Sequence, residues 1–224
     1  MTLRLVIFDV DGTLVDSQGD ILAAMAVSFA SEKLDCPSRD AILGIVGLSL
    51  PQAIGRLAPE VGAVQLARLV EAYKAAYAEL RMRGGPDASP LYPGIPDLLA
   101  RLSTRDDVLL GIATGKSRRG LAALLESHDL TRLFVTRQSA DGNPSKPHPG
   151  MLFAALEDAG VEAEQAVMIG DTSYDMEMAR AAGVARIGVT WGYHPREALS
   201  DAQIIVDDAV ALDRAITQIL GEMP

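Results

Sequence analysis

The chain is poor in several residue types, and each scarcity excludes something. Among 224 residues there is one cysteine, Cys36, so no intrachain disulfide can form, and a reducing compartment is the expectation. The three histidines, His128, His148 and His194, have no spacing that would make a metal trio. Aromatic residues make up 4% of the chain, with a single tryptophan, Trp191, which reads equally as a packed loop ring or as the lining of a site. No stretch reaches the ~20 apolar residues of a membrane span. The apolar run near the N-terminus is too short for a signal peptide and has no cleavage pattern, so a cytoplasmic location is expected. Basic residues are outnumbered, 20 Lys and Arg against 30 Asp and Glu, for a formal net charge of −10. With no dense basic run, neither nucleic acid nor an anionic membrane is expected as a partner. The remaining composition, 49% hydrophobic, is globular and suffices for one large domain or two small ones.

What the chain does have is concentrated near its start. Leu3 to Phe8, apolar but for Arg4, suits a strand buried on both faces. It ends at Asp9-Val10-Asp11-Gly12-Thr13. Two acids at i and i+2 of an extended segment project to one side and repel unless a cation or a proton lies between them. A hard divalent cation with oxygen ligands, Mg²⁺ above all, resolves that conflict. The same residues are also good turn chemistry, which would leave two solvated acids.

Three later clusters follow predicted strands or lead into helices. Val108–Ala113 is followed by Thr114-Gly115-Lys116-Ser117. Asn143-Pro144-Ser145-Lys146-Pro147-His148 precedes a helix. Ala166–Gly170 is followed by Asp171-Thr172-Ser173-Tyr174-Asp175. Taken alone, Thr114 could be a helix N-cap and Lys146 a solvated loop lysine. Around these clusters strands and helices alternate, which predicts a parallel sheet: strand 108–113, helix 117–127, strand 133–136, helix 149–159, strand 167–170, helix 173–182, strand 185–189, strand 203–206, helix 209–220. Residues 16–89 interrupt the alternation with an all-helical stretch, predicted as helices over 20–32, 39–45, 50–57 and 64–82. In an open α/β sheet, ligands bind outside the carboxyl ends of the strands, so all four clusters would converge there.

These four clusters resemble the four motifs of the haloacid-dehalogenase-like hydrolase superfamily, and the chain is similar to its phosphoglycolate-phosphatase-type branch over residues 3 to about 190. The resemblance implies a Rossmann-like, doubly wound parallel sheet in a core domain, residues 1–15 and 90–224, with an inserted α-helical cap, residues 16–89. It implies a phosphatase of a small phosphorylated metabolite. Asp9 would be the nucleophile that forms an aspartyl-phosphate and Asp11 the general acid–base. Thr114, Gly115 and Lys146 would bind the phosphate. Mg²⁺ would be held by the Asp9 side chain, the Asp11 backbone carbonyl and the Asp171 carboxylate, with Asp175 either a further ligand or a group that orients the site. The presence of Asp11 argues for phosphoryl transfer, because cleavage of a carbon–halogen bond needs no proton on the leaving group.

Two other readings are weighed. A phosphosugar mutase of the β-phosphoglucomutase type carries a histidine in the first cap helix, and no histidine lies between Ser17 and Asp106. A non-catalytic phospho-ligand-binding module would not need acids at every metal position. Thr114-Gly115-Lys116-Ser117 is loosely similar to the end of a nucleotide-binding loop, but Leu110 stands where the first glycine would be required. Gln18 and the turn Gly47–Gln52 are the expected contacts to the non-phosphate part of the substrate, with Ser49 alternatively capping the helix at Pro51.

Overall fold

The computed structural model describes residues 2–222. Six strands form one parallel sheet: β1 (Arg4–Phe8), β2 (Val108–Ala113), β3 (Thr136–Gln138), β4 (Ala166–Gly170), β5 (Ala185–Val189) and β6 (Ile204–Val206). Their order is β3-β2-β1-β4-β5-β6. The chain therefore builds outward from β1 to β3, then returns to the other side of β1 for β4. The crevice between β1 and β4 is the switch point where ligands of open α/β sheets bind.

Alternation along β1 shows why the sheet is covered on both faces. Val6 and Phe8 point into a cluster with α5 (Ile95–Ser103), α6 (Arg118–Ser127) and α9 (Ala209–Glu222). Leu5 and Ile7 point the other way, onto α7 (Gly150–Ala159) and α8 (Ser173–Ala182). All four side chains are fully buried. An apolar strand without a polar face can be accommodated only in the middle of such a sandwich.

Between β1 and α5 lie four helices, α1 (Gln18–Ser31), α2 (Arg39–Leu43), α3 (Leu50–Leu57) and α4 (Ala63–Gly84). They form a hydrophobic cluster of their own around Met25, Phe29, Ile54 and Leu69. Where the chain leaves for this insert and where it returns are joined: Asp16 N donates to Pro90 O at 2.9 Å and Tyr92 N to Leu14 O at 3.0 Å. Helix starts follow the expected chemistry. Ser38 accepts from Ala41 N and Ser117 from Gly120 N, whereas Pro51 sits in the first turn of α3.

Two local expectations fail. Ser49 stands at the N-cap position of α3 but makes no side-chain cap; its backbone N donates to Ser145 Oγ at 2.8 Å. The strand expected over 133–136 forms at Thr136–Gln138. The apolar run Leu133-Phe134-Val135 is a turn that tucks Phe134 into the core and leaves Val135 exposed. Pairing with Gly111–Ala113 begins only beyond it, because apolar content alone does not locate a short edge strand.

Candidate active site

The register of the sheet places the acidic residues. Phe8 pairs with Ile169 of β4 and with Ile112 of β2, so the residues that follow each strand leave the sheet side by side. Asp9 N donates to Ile169 O at 2.9 Å, which fixes Asp9 at the end of β1, beside the start of the β4 loop that carries Asp171. Gly12, with φ +85°, turns the chain back immediately. A Cβ there would lie 2.2 Å from Asp171 Oδ2, so only glycine allows the two loops to close on each other.

Asp9, Asp171 and Asp175 each offer an oxygen within 4.8 Å of the others, and all three are buried. Their surroundings differ. Asp171 accepts from Thr13 Oγ1 at 2.9 Å and from Tyr193 N at 2.8 Å. Asp175 accepts from Thr172 N at 3.1 Å and Thr172 Oγ1 at 2.7 Å, a capping box that opens α8, and its other oxygen lies 2.6 Å from Lys146 Nζ. Asp9 is paired on one oxygen only: Lys146 Nζ lies 2.8 Å from Oδ1, and Oδ2 has no partner among the described residues. A buried carboxylate with an oxygen left unpartnered is an unfinished electrostatic arrangement.

The pKa directions reflect that. Burial pushes the Asp9 carboxyl up to about 7 against the pull of Lys146, with Asp175 and Asp11 adding to the rise. Burial also carries Asp171 well above the carboxylate range, helped by Asp175 and Asp9. Burial alone would lower Lys146, but Asp175 and Asp9 raise it, so the ammonium stays charged. The donor set is oxygen-only and clustered, and Asp9 contributes to it with one oxygen that has no other partner among the described residues. These are the requirements of a hard divalent cation, and the residues fit one.

Asp11 is held separately. Lys116 Nζ donates to both of its oxygens, at 2.6 and 2.8 Å, and Ser17 Oγ donates to Oδ1. Lys116 in turn donates to Tyr77 OH at 3.1 Å and sits 4.7 Å from the centre of that ring. Ser17 N donates to Tyr193 OH at 2.9 Å. Asp11 is thus tied to α4 of the insert and to the loop after β5 at once.

A cavity of about 730 Å³ opens from these groups. Asp9, Asp11, Thr114 and Gly115 line its buried end. Thr114 does not cap α6; that role falls to Ser117, and Thr114 Oγ1 accepts from Lys116 N at 3.2 Å. Gly115 lies under the insert: a Cβ there would be 2.5 Å from the carbonyl oxygens of Gly47 and Leu48. Lys146 is fully buried beside Asp9 and does not line the cavity.

The structure brings together all seven residues singled out in the sequence: Asp9, Asp11, Thr114, Gly115, Lys146, Asp171 and Asp175. Of the turn Gly47–Gln52, residues Gly47 to Pro51 line the cavity; Gln52 and Gln18 do not. The amide nitrogen of Gln18 binds Asp16, and its amide oxygen accepts from the Arg39 guanidinium. Trp191 packs on the core with Tyr92 and donates to Thr13 O at 3.1 Å. Sequence reasoning missed Thr13, Ser17, Tyr77, Lys116 and Tyr193 as partners of the acids. Only Lys116 gave a signal, through its place beside Thr114 and Gly115.

The chain matches the family model described as haloacid dehalogenase-like hydrolase over residues 6–189. It is 38% identical over 208 residues to the protein named "Probable phosphatase IndB" of Dickeya dadantii, covering 91% of this chain and 89% of that one. It is 33% identical over 207 residues to a phosphoglycolate phosphatase of Aliivibrio fischeri, covering 90% of each. A solved structure described as a predicted phosphatase from Clostridium acetobutylicum superposes with a TM-score of 0.86 at 25% identity, covering 97% of this chain and 100% of that one. With the match spanning β1 to β5 and all four acid-bearing or lysine-bearing loops, the chain belongs to the haloacid dehalogenase-like hydrolase family, in its phosphoglycolate-phosphatase-like branch.

Proposed function

We propose that this phosphoric monoester hydrolase acts on a small phosphorylated metabolite through an aspartyl-phosphate on Asp9, with Mg²⁺ as its cation. The observation that carries the reading is Asp9 itself: a buried carboxylate at a strand end, lining the cavity, with Oδ1 paired to Lys146 and Oδ2 without a partner among the described residues. A group so placed is free to attack phosphorus. An Asp9 oxygen bonds to phosphorus as the bond to the ester oxygen breaks, and Asp11 delivers a proton to that departing oxygen. Asp11 then takes a proton from water, whose oxygen attacks the aspartyl-phosphate, releasing inorganic phosphate and restoring Asp9. Such acid–base assistance contributes on the order of 10²–10⁴ in rate.

The remaining residues prepare these steps. Lys146 neutralises Asp9, and Asp175 and Thr172 hold Lys146 in place. The Thr114 hydroxyl and Gly115 N–H donate to the phosphoryl oxygens. Asp9, Asp171 and the Asp11 carbonyl would hold Mg²⁺, which supplies positive charge to offset repulsion between phosphate dianion and carboxylate. Asp175, with its oxygens already engaged, orients this set. Residues 16–89 act as a cap that closes the site from bulk water, and 1–15 with 90–224 form the core domain. Replacing Asp9 with asparagine should lower kcat by about 10⁴-fold or more on any phosphate ester while the fold persists. Full activity in Asp9→Asn, measured as Mg²⁺-dependent phosphate release, would refute the assignment.

A further inference from the structure

The insert is docked on the core, and the cavity nevertheless remains large. Tyr174 OH donates to Gly44 O at 3.0 Å, Ser49 N to Ser145 Oγ at 2.8 Å, Lys116 Nζ to Tyr77 OH at 3.1 Å and Arg56 to Tyr174 OH at 3.1 Å, and His194 Nε2 lies 3.2 Å from Gly44 O. These contacts join α2, α3 and α4, or the loops between them, to the core. The volume of about 730 Å³ is therefore what remains with the insert docked on the core. A two-carbon phosphate such as 2-phosphoglycolate fills a small part of it, whereas pockets of roughly 300–1,000 Å³ are the size that takes ring-bearing ligands.

The walls have a definite character. Beyond the phosphate end they are formed by Ile21, Met25, Val46, Leu50 and Tyr73. Tyr73 is stacked on Tyr77, with ring centres 5.8 Å apart. Arg81 and Arg119 also line the cavity, and neither has an ion pair or side-chain hydrogen bond to the described residues; Glu71 and Lys74, paired with each other, line it as well. A small hydrophilic ester would leave the apolar walls facing water that they cannot hydrogen-bond. A ring would displace that water favourably.

Building on the phosphatase reading above, we infer that the preferred substrate is a phosphate monoester of a primary alcohol bearing a flat ring system, its ring against Met25 and Tyr73 and its polar edge toward Arg81 and Arg119. A nucleoside 5′-phosphate and an arylmethyl phosphate share that chemistry. Steady-state kinetics with Mg²⁺ on 2-phosphoglycolate, benzyl phosphate and uridine 5′-monophosphate test it, since all three leave as primary alcohols. At least one ring-bearing ester should show kcat/KM tenfold or more above 2-phosphoglycolate. Preference for the nucleotide over benzyl phosphate identifies a nucleoside body, and the reverse an aryl body. Equal or better turnover of 2-phosphoglycolate overturns the inference and leaves the phosphatase reading intact. Turnover of none of the three overturns both. Ala78→Phe, which places bulk in the cavity wall, should reduce the ring-to-glycolate ratio of kcat/KM at least tenfold. An unchanged ratio places the ring elsewhere and overturns the inference. Benzylphosphonate, which cannot be hydrolysed, should bind more tightly than inorganic phosphate by calorimetry, and equal affinity counts against the apolar wall.

Discussion

At the scale of single residues, the site depends on one carboxylate left partly free and another held fast. Asp9 has one oxygen paired with Lys146 and the other without a partner among the described residues, whereas both oxygens of Asp11 are gripped by Lys116 and one also by Ser17. The difference matches their proposed tasks: a nucleophile needs an open lone pair, and a proton carrier needs an aim. Lys116→Met should therefore lower kcat by about 10–100-fold on alkyl phosphates, whose leaving oxygen needs a proton. On p-nitrophenyl phosphate, whose leaving group needs none, the loss should stay within about threefold. Arginine at 116 should recover part of the alkyl activity. Equal losses on both substrates would mean that Lys116 serves binding or stability instead. Asp9 and Asp11 were legible in the sequence because strand, carboxylates and glycine are contiguous. Lys116 as the partner of Asp11 was not, since 105 positions separate the two.

At the scale of elements, strand ends deliver the chemistry and loops close it. The alternation of β1 between two helix layers holds Phe8, and hence Asp9, in fixed register with Ile169 and Ile112. Helix and strand boundaries after residue 140 follow from the sequence because caps and glycines mark them, as in Thr172 and Gly183 around α8. The edge strand β3 was misplaced for the opposite reason: it has three residues and no alternating pattern. Contact between the Gly44–Pro51 turn and the β2–α6 loop is tight at Gly115. Gly115→Val should force the turn at Gly47 and Leu48 away from the phosphate end. Its expected effect is a KM increase of about tenfold or more with a smaller change in kcat, measured on the best available ester, because closure rather than chemistry is impaired.

At the scale of the whole molecule, the uncompensated acids at the core should make stability depend jointly on pH and on the cation. Asp9 and Asp171 have folded-state pKa values raised above the unfolded ones. The native state then binds more protons than the unfolded chain as pH rises from about 4 to about 7, so these groups reduce stability across that window. A cation favours the ionised carboxylates and competes with protons. Mg²⁺ at about 100 times its pH 8 Kd should add about 2.7 kcal/mol at pH 8, or roughly 5–10 °C in Tm for a chain of this size. At that same concentration the gain should be smaller at pH 5, and Asp171→Asn should remove most of it. A Mg²⁺ shift independent of pH, read by calorimetry, would contradict the assignment of these acids to the cation. Among the described residues no helix is long and apolar enough to cross a membrane.

The order of strands and helices, the existence of a helical interruption and the identity of the acids are properties of local pattern, and the sequence determined them by itself. Periodicity, caps and turns act within a few residues of one another, so they can be read along the chain. Tertiary structure alone decided which donors hold Asp11 and Asp171, that Lys146 lies beside Asp9 away from the cavity, that Gln18 turns away from it, and how much space the docked insert leaves above the phosphate end. Those features arise where loops far apart in sequence meet, and no local pattern encodes the distance between them.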